Sequence, residues 1–283
     1  LFISITCPKP VIGFYGLVEP ISDYQNYNKE AIDGNLLRWV ESAGAEVVVI
    51  HIWYSEQEIS NLLSHINGVF FQAGPRRPLK YDEPWEKKAR FVFEYAKNRS
   101  IPVWGTCLGM QMITVFMSGD DQLLEKYDNL GLKEIEFTDK TVNSSLYSLL
   151  KEIDFENLKN QKSNFYIHKH GISPNKFSNN KNLTENFDII GYGYDNNGKK
   201  FVNIIQSKKD KKHKIYGTQY HPEKNPYERS QKYDEENKMD SLRRSQLIAI
   251  KFIDEARKNT NRFVSYTQKS QYTFVSTYQA QYG

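Results

Sequence analysis

Cys107 stands in Gly105-Thr106-Cys107-Leu108-Gly109, a cysteine with glycine two residues away on each side. The residues before it read as a strand and those after it as a helix. The pattern is therefore strand, sharp turn, helix, which is the cysteine form of a nucleophile elbow. A side chain on such a turn projects above the sheet edge. Glycines at 105 and 109 remove the side chains that would clash across the turn. The helix starting at Leu108 aims its N-terminal dipole at the sulfur and favours thiolate over thiol. The Leu108 N–H is positioned to donate to an oxyanion. A free cysteine is most often a buried structural residue, but the paired glycines favour the nucleophile.

A thiolate nucleophile wants a base. Tyr216-Gly217-Thr218-Gln219-Tyr220-His221-Pro222-Glu223 puts His221 at the end of a predicted strand. Open α/β sheets place ligands on their carboxyl edge, so His221 and Cys107 are expected side by side there. Glu223 is spaced to orient the imidazole and to stabilise its protonated form, which completes a Cys-His-Glu set.

These residues need a sheet to hold them. Val11–Gly16, Glu46–Ile52, Gly68–Phe71 and Ile101–Trp104 read as buried strands, the second with the β-branched run Val47-Val48-Val49-Ile50. Helices are predicted over 29–43, from a Ser55/Glu58 capping box to Ile66, and over 83–98. Alternating strands and helices with short connections predict an α/β fold, a mostly parallel sheet with helices on both faces. After about residue 120 short strand-like runs dominate. Phe187–Tyr192 and Phe201–Ile205 flank Asp195-Asn196-Asn197-Gly198, a hairpin signal. A last helix is predicted over 241–258, packing through Leu242, Leu247, Ile248, Ile250 and Phe252. The Tyr/Gln/Ser/Thr-rich residues from 260 lack a clear period and are expected to be partly disordered or laid on the surface.

The two chemical segments resemble the class I glutamine amidotransferase-like superfamily, a flavodoxin-like fold, and specifically its γ-glutamyl hydrolase (folylpoly-γ-glutamate hydrolase) family. Gly-Thr-Cys-Leu-Gly and Gln-Tyr-His-Pro-Glu-Lys are shared widely. Glu41-Ser42-Ala43-Gly44-Ala45 and His221-Pro222-Glu223-Lys224-Asn225-Pro226-Tyr227-Glu228 are specific to the hydrolase branch. The resemblance covers residues 8–258 as a single domain and leaves 259–283 as a polar tail. It implies a cysteine peptidase that cleaves γ-glutamyl bonds of folylpoly-γ-glutamates or related small-molecule or peptide substrates through a thioester. It implies no metal or other cofactor, a homodimer, and a lysosomal, vacuolar or extracellular setting. A glutaminase, a hydrolase of small γ-glutamyl amines and a catalytically impaired binding member remain alternatives.

Two departures stand out. Where the family has Pro-Gly-Gly or similar after the third strand, this chain has Gln72-Ala73-Gly74-Pro75, with Gly74 left to supply an oxyanion N–H. Leu36 replaces a family Tyr in the first helix. His168, in Phe165–Pro174, matches a substrate-side position of the family on a loop over the site; His170 does not match. Arg76 and Arg77 are suited to a polyanionic substrate tail through their forked guanidinium groups.

Composition agrees. Of the 283 residues 39% are hydrophobic and 25% charged, and the net charge is only +4. That balance and the lack of a motif exclude a nucleic-acid reader. No run approaches the ~18 apolar residues of a membrane span, and two cysteines make no disulfide scaffold. Leu1–Thr6 is expected to be the end of a signal peptide whose start is absent, or an ordinary first strand. Cys7 is expected to be incidental.

Overall fold

Residues 9–18, 30–74, 83–148, 162–227 and 239–272 are described in the computed structural model. Arg76, Arg77, Cys7, Glu228 and the Leu1–Thr6 run lie outside them.

The valine-rich and aromatic runs form the strands that their lack of alternation implies. In chain order the elements are β1 (Val11–Tyr15), β2 (Leu17–Val18), β3 (Glu30–Ala31), α1 (Gly34–Ser42), β4 (Glu46–Ile50), α2 (Glu56–Leu63), β5 (Gly68–Phe71), α3 (Pro84–Asn98), β6 (Val103–Thr106) and α4 (Leu108–Ser118). The second half contributes β7 (Glu125–Lys133), β8 (Glu136–Phe137), β9 (Asn164–Gly171), β10 (Phe187–Tyr194), β11 (Lys200–Ser207), β12 (Ile215–Thr218) and a long helix, Met239–Arg257. Eight strands make one sheet in the order β4-β1-β5-β6-β12-β11-β10-β8. Strands β4, β1, β5, β6 and β12 run parallel; β11, β10 and β8 extend the sheet antiparallel.

Helices cover both faces. Side chains of α2, α3 and α4 pack with Val11 and Tyr15 of β1, whereas α1 and Met239–Arg257 pack with Ile12 and Phe14 on the other side. Trp104 sits between Trp39 and Phe252, with ring centroids 5.3 and 5.7 Å away. Each buried indole keeps a partner, as burial requires: Trp104 Nε1 donates to Thr106 Oγ1 and Trp39 Nε1 to Ser245.

Local signals explain most boundaries. Ser55 and Glu58 make both hydrogen bonds of the capping box, though α2 stops at Leu63 rather than 66. Helix α1 starts at Gly34, not 29. Asp33 caps it, and the preceding Glu30–Ala31 pairs with β2 instead. The 187–207 hairpin forms with Gly198 at φ +77°. The long helix buries Ile248 and Phe252 as expected. Its buried face also takes Ser241, Arg244 and Ser245, while Leu242, Leu247 and Ile250 are only half-buried. Phe165–Gly171 is a strand, not a loop: β9 pairs antiparallel with β7 as a separate two-stranded flap. The described part of the tail, 259–272, lies along the N-terminal end of the sheet. Asn67 donates there to Asn259 O and Asn261 O.

Candidate active site

The sheet order reverses at β1, with β4 on one side and β5 on the other. Such a switch point opens a crevice beyond the carboxyl ends of the strands. A cleft of about 320 Å³ lies there, lined by residues that follow β1 and β5 together with Asp33, Cys107, Ile167 and His221.

Cys107 joins β6 to α4 at φ +53° and ψ −105°, a region that residues with a side chain rarely occupy. Its N–H donates to Thr218 O at 2.7 Å and its carbonyl accepts from Gln111 N, so the strained residue is clamped from both ends. The glycines have the role expected of them. A Cβ on Gly105 would lie 2.5 Å from the Gly109 carbonyl carbon, and one on Gly109 would overlap Phe71 O. Only bare backbone lets α4 start this close to β5.

The same approach brings Gly74 against the elbow. A Cβ there would meet Leu17 Cδ1 at 2.5 Å and Leu108 Cδ2 at 3.3 Å. Leu108 is the first residue of α4, where an N–H has no acceptor within the helix. Gly74 thus packs against the Leu108 side chain, and it lines the same cleft as Cys107. Gln72 and Ala73 do not disturb this wall: Ala73 is buried, and Gln72 Nε2 donates to Tyr15 O and Ala31 O while its Oε1 accepts from Asp33 N. Leu36 is fully buried on the inner face of α1.

His221 and Glu223 meet beside the cysteine. His221 Nδ1 and Glu223 Oε1 are 2.8 Å apart, and both side chains are buried. The His221 N–H donates to Phe165 O, which ties the flap to the base of the site. Burial alone disfavours the imidazolium. The Glu223 carboxylate and the Cys107 sulfur outweigh it and push the pKa up to about 10. The other nitrogen, Nε2, is buried, and Cys107 is the neighbour on that side whose sulfur helps to raise the pKa. A thiol, an imidazole and a carboxylate are therefore gathered in one place, the residue types that acyl transfer by a cysteine uses.

The flap contributes differently from expectation. His168 does not line the cleft. It is buried, its Nε2 accepts from Asn129 Nδ2, and its Nδ1 faces His170 O, both at 2.9 Å. Burial lowers its pKa to about 4. With both nitrogens engaged, it braces β7 against β9 rather than offering a hand to substrate. Its strand neighbour Ile167 points the other way into the cleft, and Ile167 O lies 3.9 Å from Cys107 Sγ. His170 is half-buried beside Lys126.

Two glutamines escaped the sequence reading. Gln219 Nε2 donates to Cys107 Sγ at 3.6 Å, and its Oε1 accepts from Gln111 Nε2. Spacing could have found them. Gln111 is four residues beyond Cys107 on one helix face, and Gln219 is two residues before His221 in extended chain.

Comparison with known proteins agrees with this geometry. The profile of the family "Glutamine amidotransferase class-I" matches residues 26–239. Gamma-glutamyl hydrolase B of Dictyostelium discoideum is 26% identical over 285 residues, 95% of this chain and 81% of its own. Gamma-glutamyl hydrolase of Mus musculus is 30% identical over 271 residues, covering 90% and 80%. The glutaminase domain of Trypanosoma brucei CTPS with bound acivicin superposes with a TM-score of 0.57 at 14% identity, covering 91% of this chain and 96% of that one.

Proposed function

Because the chain belongs to the class I glutamine amidotransferase family, and within it to the γ-glutamyl hydrolases, we propose that it hydrolyses γ-glutamyl bonds with Cys107 as nucleophile, His221 as proton carrier and Glu223 as the group that orients and charges His221. The Cys107 sulfur attacks the γ-carbonyl carbon, and the carbonyl oxygen takes the negative charge. The Leu108 and Gly74 N–H groups hold that oxyanion. His221 gives its proton to the leaving nitrogen as the C–N bond breaks, which leaves a thioester on Cys107. Water then attacks the thioester and passes a proton to His221. The acid departs, and the sulfur returns as thiolate. The supporting observation is the strained Cys107 turn with the charged His221–Glu223 pair buried beside it. The proposed setting is the lysosome, vacuole or extracellular space that the resemblance implies, and the proposed assembly is a homodimer.

The test combines Cys107→Ala with a glutamine-analogue diazo ketone. The wild type is expected to hydrolyse γ-glutamyl-p-nitroanilide and to be labelled on Cys107. The variant is expected to melt normally and do neither. Near-native turnover by the variant overturns the assignment.

A further inference from the structure

Two buried glutamines beside the nucleophile have no part in the acyl-transfer steps, and their hydrogen bonds run in one direction. Gln219 follows β12, Gln111 lies one turn into α4, and both side chains are buried. Gln111 Nε2 donates to His170 O on β9 at 2.7 Å and to Gln219 Oε1 at 3.2 Å. Gln219 Nε2 in turn donates to Cys107 Sγ at 3.6 Å. The chain of bonds leads from the flap strand to the sulfur.

An amide side chain has a donor end and an acceptor end of similar shape, so its partners set its direction. His170 O is a carbonyl oxygen and only accepts. It therefore holds the NH2 end of Gln111. The second N–H of that group meets Gln219, which must answer with its oxygen. The NH2 end of Gln219 is left facing the sulfur. Turned the other way, Gln219 would set N–H against N–H on one side and oxygen against a thiolate on the other. The backbone is equally fixed. Gln219 N–H donates to Asn203 O, and Cys107 N–H donates to Thr218 O, both at 2.7 Å.

A hydrogen bond to a thiolate favours the charged form, and a buried setting strengthens it. His221 favours that charge too, but it gives its proton to the leaving nitrogen during turnover. An amide keeps its N–H at every stage, including the step in which the C–S bond of the thioester breaks and the sulfur takes back its charge. Ile167 O, 3.9 Å from Sγ, is an acceptor and offers a thiolate nothing. The titratable groups on the elements around the sulfur are His221 with Glu223 on its Nδ1, His168 and His170 on β9, and Asp33 in the same cleft. We propose that Gln219 is a further catalytic residue, whose amide N–H stabilises the Cys107 thiolate, and that Gln111, held by the flap carbonyl of His170, is the positioning residue that keeps this N–H turned to the sulfur. The proposal rests on the hydrolase reading, in which Cys107 is the nucleophile.

The experiment follows iodoacetamide modification of Cys107 against pH, read on the Cys107 peptide by mass spectrometry. The wild type is compared with Gln219→Met, Gln111→Leu and the double variant, each checked by its thermal melt. Methionine matches glutamine in length and carries no N–H. Gln219→Met is expected to raise the pH of half-maximal modification by about one unit, the low end of what a hydrogen bond to a charged group is worth. Below that pH its kcat/KM for γ-glutamyl-p-nitroanilide is expected to fall about 10-fold in step. Gln111→Leu is expected to raise the midpoint by part of that amount, and to add nothing in the double variant, because it acts through Gln219. An unshifted midpoint in an active Gln219→Met enzyme overturns the proposal and leaves the hydrolase reading standing. A Gln111→Leu effect that persists in full beside Gln219→Met also overturns it. If Gln219→Met does not fold, Gln111→Leu decides: a raised midpoint supports the relay, and an unchanged one overturns it. A wild type that is alkylated on Cys107 but turns over no γ-glutamyl substrate defeats the hydrolase reading, and the proposal with it.

Discussion

Replacing Glu223 by Gln removes the charge that keeps His221 protonated while an amide oxygen can still accept from Nδ1. Burial opposes the imidazolium, and Glu223 with Cys107 reverses that opposition to bring the pKa up to about 10. The rise from the ordinary 6.5 is worth roughly 5 kcal/mol at ~1.36 kcal/mol per pKa unit. A raised folded pKa adds stability that is complete below pH 6.5 and is lost as pH climbs through 10. If about half of it belongs to Glu223, the variant loses roughly 2.5 kcal/mol of imidazolium stabilisation, about 70-fold in the protonation constant of His221. The His221 pKa then falls to about 8, and the imidazole loses the proton meant for the leaving amine on the alkaline side of neutrality, where the wild type keeps it. Turnover of γ-glutamyl-p-nitroanilide is expected to fall most between about pH 8 and 10, by up to that order, where the wild type keeps the His221 proton and the variant has lost it. His221→Asn, which removes proton transfer itself, is expected to lose more. The direct assay is a ¹³C-histidine NMR titration, paired with the pH dependence of iodoacetamide modification of Cys107. A wild-type His221 that titrates near 6.5 refutes the charge argument. A Glu223→Gln enzyme slower than His221→Asn refutes the division of roles.

Two further outcomes test the scaffold. Gly109→Ala forces a methyl group against Phe71 O and is expected to cost at least about 1–3 kcal/mol of stability as an overpacked site, with a larger loss of activity because α4 must shift away from β5; a normal melt with full activity contradicts the close approach. His168, neutral in the fold with a pKa of about 4, contributes stability that is complete above pH 6.5 and is lost as pH falls toward 4, roughly 3 kcal/mol in all; His168→Gln is expected to flatten the acid limb of a urea-denaturation series, and an unchanged slope denies that role.

The elbow was legible because its chemistry is local. Gly105, Cys107 and Gly109 constrain one another within a single turn, and the same turn fixes where the nucleophile points. Likewise Ser55 and Glu58 wrote the start of α2, and the valines of β4 wrote a doubly buried strand. What sequence hid was set by contacts far along the chain. The flap strand Phe165–Gly171 has two histidines, a lysine and a glycine, so it reads as a loop. It becomes a strand because β7 supplies the partner ladder. That pairing turns alternate residues to opposite sides, sending Ile167 to the cleft and His168 inward, the reverse of the role foreseen for His168. Asp33 was unreadable as a wall residue because its neighbours in space are Gln72 and the residues after β1, not its neighbours in sequence. The buried face of Met239–Arg257 was misjudged for the same reason. Arg244 is buried because Ser163, from a distant segment, receives its Nη2.

The two histidines of this region show how one site holds opposite protonation states. His221 and His168 are both buried, and burial disfavours charge in each. Glu223 stands 2.8 Å from His221 and reverses the sign. His168 meets an amide, a backbone carbonyl and aromatic rings, none of which carries a counter-charge, and the nearby His221 lowers its pKa further. The consequence for an acidic compartment is specific. His221 keeps its proton throughout the acid range. Protonating His168 would cost it the bond from Asn129, because an imidazolium nitrogen cannot accept. It would also set a second cation near His221 and loosen β9, the strand that carries Ile167 and holds the His221 N–H through Phe165 O. The histidine whose charge acid changes is therefore the one that braces the flap and not His221.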